Sequence, residues 1–155
     1  MTIRPARPGD REPAVALWLA LHAEHQALDG RYRLAPDAGA RWAADFREWT
    51  RSRTSRVWLA LDGARPAGLA TAHLVQTMPT FEPVVFVHVD DLYVCPEARG
   101  AGLGTGLLDA ARQWGAGLGA TELRAGVLAA NPAGRRFWAR AGAADWSVTV
   151  AMPLG

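Results

Sequence analysis

The chain has 155 residues, half of them hydrophobic, and its 17 cationic side chains, all Arg, against 15 acids leave a net charge of +2. That length suits one domain over residues 1–155 with a real core, and so small a net charge argues against a nucleic-acid partner. No apolar run approaches the roughly 18 residues of a membrane span and no signal-peptide core follows Met1, so a cytoplasmic protein is expected. The single cysteine, Cys95, excludes an internal disulfide and a cysteine-cluster metal site.

In chain order, residues 2–6 read as an edge strand, and Asp10 caps a helix carrying Val15, Leu17, Trp18, Leu21 and Leu28. A second helix follows Pro36 with Trp42, Phe46 and Trp49 on one face. Strands at 56–61 and 68–75 flank the Asp62-Gly63 turn signal, and a second hairpin leads into a long apolar strand at 84–95. Leu107, Leu108 and Ala111 then recur at helical spacing; a strand at 121–128, a helix from Asn131 and a final strand at 147–152 complete the order βααβββαβαβ, an α/β (α+β) chain.

Between the strand at 84–95 and its helix lies Arg99-Gly100-Ala101-Gly102-Leu103-Gly104. Backbone without side chains at a helix N-terminus suits an anion, because N–H groups are unpaired there and the helix dipole is positive. No Lys exists in the chain, which removes the Gly-Lys-Ser/Thr phosphate loop, and the spacing Gly-x-Gly-x-x-Gly of dinucleotide sites is absent. Gly115-Ala116-Gly117-Leu118-Gly119 repeats the run, yet it follows a helix and precedes a strand. There it faces carbonyl ends and reads as a helix C-terminus.

The strand also carries two acids, Asp90 and Asp91. Burying an unpaired carboxylate is costly, so this strand end belongs at a polar cleft or bonded to Arg or backbone N–H. Strict alternation puts His88, Asp90, Leu92 and Val94 on one face and Val89, Asp91, Tyr93 and Cys95 on the other. His88 is either a hydrogen-bonded core histidine or a proton carrier with an intrinsic pKa near neutrality. Cys95 reads as a small strand-end residue.

The run from Asp90 to Gly104 resembles the GNAT superfamily of acyl-CoA-dependent N-acyltransferases over its whole length: an acid-rich strand, a turn at Pro96, then Arg-x-x-Gly-x-Gly. Asn131 to Gly142, an Asn opening a helix that ends in Gly, is similar to the family's second signature. The resemblance implies a central mixed, mostly antiparallel sheet flanked by about four helices, with acetyl-CoA as acyl donor and no metal. It implies that Gly100, Ala101, Gly102, Leu103, Gly104 and Thr105 hold the diphosphate with help from Arg99. Backbone around Leu92, Tyr93 and Val94 would pair with the pantetheine arm, the Val94 N–H polarising the thioester carbonyl.

Asn131 then either bonds near that arm or caps its helix before Pro132, readings that are compatible. An alkylamine of pKa about 10.4 is protonated at neutral pH and needs a base. Asp90 stands where the similar diamine acetyltransferases have Glu, which makes it the leading base, with His88 able to share the task. Seven residues after the Asn the family usually has a Tyr that protonates the leaving thiolate; here the residue is Trp138, which packs on the cofactor or on the core. Water or Tyr93 then serves as the acid.

The family's acceptor site lies on the first two helices and their connection, here including Glu24, His25, Asp29 and Tyr32. A small-molecule primary amine is the expected acceptor. A peptide N-terminus, or a non-catalytic acyl-CoA sensor suggested by the missing Tyr, stays in view, and a homodimer stays open.

Overall fold

Turn chemistry sets the sheet. Gly63 adopts φ +60°, the left-handed conformation that lets Asp62-Gly63 fold one strand tightly back on the next. In the computed structural model, which describes residues 1–155, the elements are β1 (Thr2–Pro5), α1 (Arg11–Leu28), α2 (Ala38–Trp49), β2 (Ser55–Asp62), β3 (Arg65–Gln76), β4 (Val85–Val94), α3 (Leu103–Gly117), β5 (Glu122–Ala125) and α4 (Pro132–Arg140). Single 3-10 turns at Pro8–Asp10 and Pro96–Ala98 lead into α1 and the glycine run. The sheet order is β1-β2-β3-β4-β5, antiparallel throughout except for the parallel β4–β5 pair. No helix is long and apolar enough to cross a membrane.

Each sheet face buries its own cluster, as helices on both sides require. On one face Leu103, Leu107 and Ala111 of α3 meet Trp58, Ala70, Ala72, Val87 and Val89. On the other, Leu17, Trp18 and Leu21 of α1 and Trp42 and Phe46 of α2 meet Val57, Leu59, Leu69 and Tyr93. The apolar spacing read from both helices is thus the buried stripe, although Leu28 at the end of α1 is exposed.

Three expectations change. Asp10 makes no side-chain cap on α1. Its carboxylate instead accepts from Arg4 at 2.6 and 2.8 Å and from the Arg7 backbone N–H at 2.7 Å, tying β1 to the first helix, and the Arg4 guanidinium holds that carboxyl below its ordinary pKa. The strand expected at 121–128 pairs for only four residues, Glu122–Ala125. No strand forms at 147–152, so the order is βααβββαβα: residues 144–155 are exposed and make no backbone hydrogen bond. An alternating pattern shows that a segment suits a sheet, but a strand exists only with a hydrogen-bonded neighbour.

The second glycine run ends α3 as read. The Gly115 carbonyl accepts from the N–H groups of Leu118 and Ala120, both at 2.9 Å, and Gly119 adopts φ +84°. A methyl group at Gly115 would lie 2.1 Å from Val87 Cγ2, so close helix–sheet packing is what requires glycine there.

Candidate active site

The site begins with a register fault. Thr71 of β3 pairs with Asp91 and Ala72 pairs with Val89, which leaves Asp90 without a partner. A bulge of one residue resets the alternation of side chains. Val87 and Val89 before it and Leu92 and Val94 after it all pack on the α3 side, whereas Tyr93 packs among α1 and α2 residues. Strict alternation is therefore corrected: Asp91 and Tyr93 join His88 and Asp90 on the α1/α2 face, and Leu92 and Val94 leave it.

The bulge places Asp90 between two histidines. Its Oδ1 lies 3.0 Å from His88 Nδ1 and its Oδ2 lies 3.1 Å from His73 Nε2, while His73 Nδ1 meets Ser55 Oγ at 2.7 Å. His88 Nε2 makes no hydrogen bond, and the His88 side chain is 40% exposed. The hydrogen bond to Asp90 raises the His88 pKa above its ordinary 6.5, because it favours the charged ring. Sequence reasoning missed His73 and Ser55. Their signal is register, since Ser55 pairs with His73 and His73 with His88 in one cross-strand row.

Asp91 is buried, 7% exposed, and accepts a hydrogen bond from the Thr71 hydroxyl, with His22 Nε2 3.6 Å from its other oxygen. The expected Arg or backbone partner is replaced by a neighbouring hydroxyl. His22 stacks on Tyr32, ring centres 5.4 Å apart and 7° from parallel, with His25 edge-on to both rings. Burial lowers the His25 pKa and raises that of Tyr32. Glu24 reaches the end of β4: it accepts from the Tyr93 hydroxyl at 3.2 Å and from Arg99 at 2.7 and 2.8 Å. Burial first, then the Glu24 charge, pushes Tyr93 up to about 12. Glu24, His25 and Tyr32 thus gather beside the strand end, and Asp29 pairs with Arg31 at 2.6 Å.

Beyond the bulge β4 has a free edge. β5 pairs with β4 only from Phe86 to Val89. The Cys95 N–H donates to Ala67 O in β3 at 2.8 Å, so alternation turns the peptide groups of Leu92 and Val94 away from β3 into the gap. The Val94 carbonyl accordingly accepts from Arg99 Nε at 2.9 Å. Tyr93's own peptide faces β3, and its contribution to this face is its phenol ring.

The gap ends at the glycine run. Gly100 and Gly102 both adopt φ +83°, a conformation that residues with a Cβ rarely take, and no atom lies within 4 Å of where a Cβ would stand. Gly102 is the N-cap of α3, and the first bond of the helix runs from Gly106 N–H to Gly102 O. The N–H groups of Leu103, Gly104 and Thr105 therefore precede any intrahelical acceptor. The Leu103 side chain is buried in the core, so only its backbone can serve a ligand. A Cβ at Gly104 would stand 3.2 Å from Phe137 Cε2, which fixes how closely α4 approaches.

Asn131 Oδ1 accepts from Gly134 N–H at 2.8 Å, a helix cap. Trp138 is partly buried against the α3 cluster, edge-on to Phe137 at 5.5 Å, and makes no hydrogen bond.

A free peptide edge along one wall with a glycine-capped helix N-terminus at its end suits an elongated ligand bearing a diphosphate. The family model described as Acetyltransferase (GNAT) family matches residues 17–143, and the chain belongs to that family, as an acyl-CoA-dependent N-acetyltransferase. Among solved structures, a tetramutant of the BH1408 protein of Bacillus halodurans superimposes with a TM-score of 0.86 at 24% identity, covering 99% of this chain and 100% of its own. Aminoglycoside 6'-N-acetyltransferase AAC(6')-Ig of Acinetobacter haemolyticus does so with a TM-score of 0.76 at 18% identity, covering 100% of this chain and 99% of its own. A transcriptional regulator of Bacillus halodurans C-125 reaches 0.79 at 19% identity, with 99% of each chain covered. No curated protein matches the sequence.

Proposed function

We propose that the chain transfers the acetyl group of acetyl-CoA to a small-molecule primary amine by direct attack in a ternary complex, with His88 as proton acceptor and Asp90 as the group that positions it. The observation that carries this reading is the occupancy of Asp90: both carboxylate oxygens already meet imidazole nitrogens, whereas His88 Nε2 is free. With both oxygens turned to histidines, Asp90 orients rings instead of facing a substrate, and its hydrogen bond through Nδ1 makes the imidazole of His88 a stronger base with Nε2 outward. The roles expected of Asp90 and His88 are thereby exchanged.

The remaining parts follow from the slot. Leu92 and Val94 would hold the pantetheine arm by their free peptide edge, and backbone N–H groups of the 100–105 loop would hold the diphosphate. Acetyl-CoA supplies an activated acyl carbon, at which a C–N bond forms and the C–S bond breaks. His88 Nε2 takes the ammonium proton so that the amine lone pair is available, and the Val94 N–H faces the side on which carbonyl charge develops. A thiol of pKa about 8.5 leaves as the thiolate without a strong acid, and the second nitrogen proton, released as the amide forms, neutralises that thiolate by way of solvent. Tyr93, held neutral with a pKa of about 12 and bonded to Glu24, is a hydrogen-bond donor and a poor source of a proton.

A shared fold with an aminoglycoside acetyltransferase supports an aminated small molecule as acceptor. A dyad with a free imidazole nitrogen favours catalysis over sensing, because binding alone requires no base. The test is thiol release from acetyl-CoA across a panel of amines. His88→Ala is expected to lower turnover about 10²- to 10⁴-fold with acetyl-CoA binding retained. Full activity in that variant would remove His88 from the role.

A further inference from the structure

Ser55, His73 and His88 stand side by side on β2, β3 and β4, and proton transfer at His88 Nε2 involves only the third of them directly. Chemistry fixes where their hydrogen atoms lie. A carboxylate only accepts, so His73 Nε2, 3.1 Å from Asp90 Oδ2, and His88 Nδ1, 3.0 Å from Oδ1, both carry hydrogen. The neutral His73 ring then has its lone pair on Nδ1, and the Ser55 hydroxyl, 2.7 Å away, donates to it. The other tautomer would set a lone pair against the carboxylate. Trp49 of α2 packs on the same ring at 71°, with centroids 5.2 Å apart, so the imidazole is held by an indole as well as by the row. The Asp90 side chain is 41% exposed, and without His73 its second oxygen would be open to solvent. An acceptor arriving as an ammonium ion is attracted to a free carboxylate oxygen, and there the proton it must lose is stabilised on its nitrogen.

We propose that His73 is a positioning residue for the transfer and Ser55 its tautomer lock: the Nε2–H of His73 occupies Asp90 Oδ2, so the carboxylate does not hold the acceptor as an ammonium ion and stays committed to His88. This role rests on His88 as the proton acceptor. The same contact tempers His88. A carboxylate that accepts a second hydrogen bond favours the charged His88 ring less, so His73 keeps the His88 midpoint below the value Asp90 alone would set. The other charge facing His88 is Arg124 of β5, its register partner, which is tied to Glu122 at 2.9 Å. Both stay in place in every variant below.

Two measurements on the full chain test this: titration of the His88 ring by NMR without substrates, and kcat and KM for an amine active in thiol release. His73→Phe keeps a ring against Trp49 and removes both hydrogen bonds. It should raise the His88 midpoint and lower kcat roughly 10- to 100-fold, as for a misplaced group. KM for acetyl-CoA should stay, and KM for the amine should not rise, because ammonium is then held unproductively. His73→Gln, whose amide nitrogen can stand where Nε2 stood, should restore midpoint and kcat. Ser55→Ala should move both in the direction of His73→Phe by less, and Ser55→Thr should return them. A midpoint that stays or falls in His73→Phe would overturn the proposal, as would His73→Gln behaving no better than His73→Phe. A rise in amine KM with kcat unchanged would overturn it too, since His73 would then bind the acceptor directly. Failure of His88 as proton acceptor has a different signature, a midpoint raised in His73→Phe with kcat and KM both unchanged.

Discussion

Gly102→Val separates the two things a glycine can do. Gly102 sits at φ +83° with no atom within 4 Å of a Cβ, so in the free protein the change meets no clash and costs only left-handed strain, about 1–2 kcal/mol. For a domain of this size that is ~2–8 °C in Tm. Added acetyl-CoA at about 100 times its Kd should stabilise the native protein by ~2.7 kcal/mol, and the valine side chain, standing over the helix N-terminus, should remove that gain. Gly115→Ala is the control from the duplicate run. Its Cβ would come within 2.1 Å of Val87 Cγ2, an overpacking worth ~1–3 kcal/mol, but it lies at the far end of α3 and should leave the acetyl-CoA shift intact. Thermal unfolding followed by circular dichroism with titrated acetyl-CoA reads both quantities. A Gly102→Val protein that keeps the full shift would refute the loop as the diphosphate site.

Turnover should rise with pH as His88 loses its proton, with a midpoint above 6.5 because Asp90 stabilises the charged ring. Asp90→Asn withdraws that charge, so the midpoint should move to lower pH and the plateau rate fall about ten- to a thousand-fold; an unmoved midpoint in a pH series of kcat would break the dyad. Arg99→Ala should weaken acetyl-CoA binding roughly 10- to 100-fold in a calorimetric titration, while Glu24→Gln, which frees the guanidinium from its present carboxylate, should not weaken it at all. Equal losses in both would mean that the Glu24–Arg99 pair, not Arg99 alone, shapes the site. Trp138→Phe should keep most activity and lose at most a few °C in Tm, since Trp138 packs on the α3 cluster without a polar partner. Trp138→Tyr should speed the reaction only where protonation of the leaving group limits it, and a large loss in the Phe variant would contradict a packing role.

What the sequence made legible was whatever local chemistry decides. The Asp62-Gly63 turn, the helical stripes of α1 and α2 and the reading of the second glycine run as a helix C-terminus each depend on a few adjacent residues, and each stands in the structure. Asp10 shows the limit of such reasoning. It has the right type and place for a cap, yet Arg4 offers a bidentate partner six residues back in β1, and the charged pair outcompetes a helix N–H. The tail shows another limit, since its alternation is real but no strand lies hydrogen-bonded beside it. The faces of β4 failed for a third reason: parity propagates, so one inserted residue reverses every assignment after it.

That single residue also accounts for the site. Without a bulge, Asp91 would face α3 among Val87, Val89 and Leu107, a buried carboxylate with no hydroxyl opposite it, and only Asp90 would point toward α1. With it, both acids reach the α1/α2 face. One is satisfied by Thr71 in the core, while the other stays partly exposed and is held by His73 and His88. The bulge lies next to the point where β5 parts from β4, after Val89 and Ala125, so the polar pair and the free peptide edge at Leu92 and Val94 begin within a few residues of each other. A bulge bends and twists its strand, which is the deformation that opens a sheet between parallel neighbours. The partly exposed imidazole–carboxylate pair and the free peptide edge therefore share one cause, and their spacing along β4 follows from the position of Asp90.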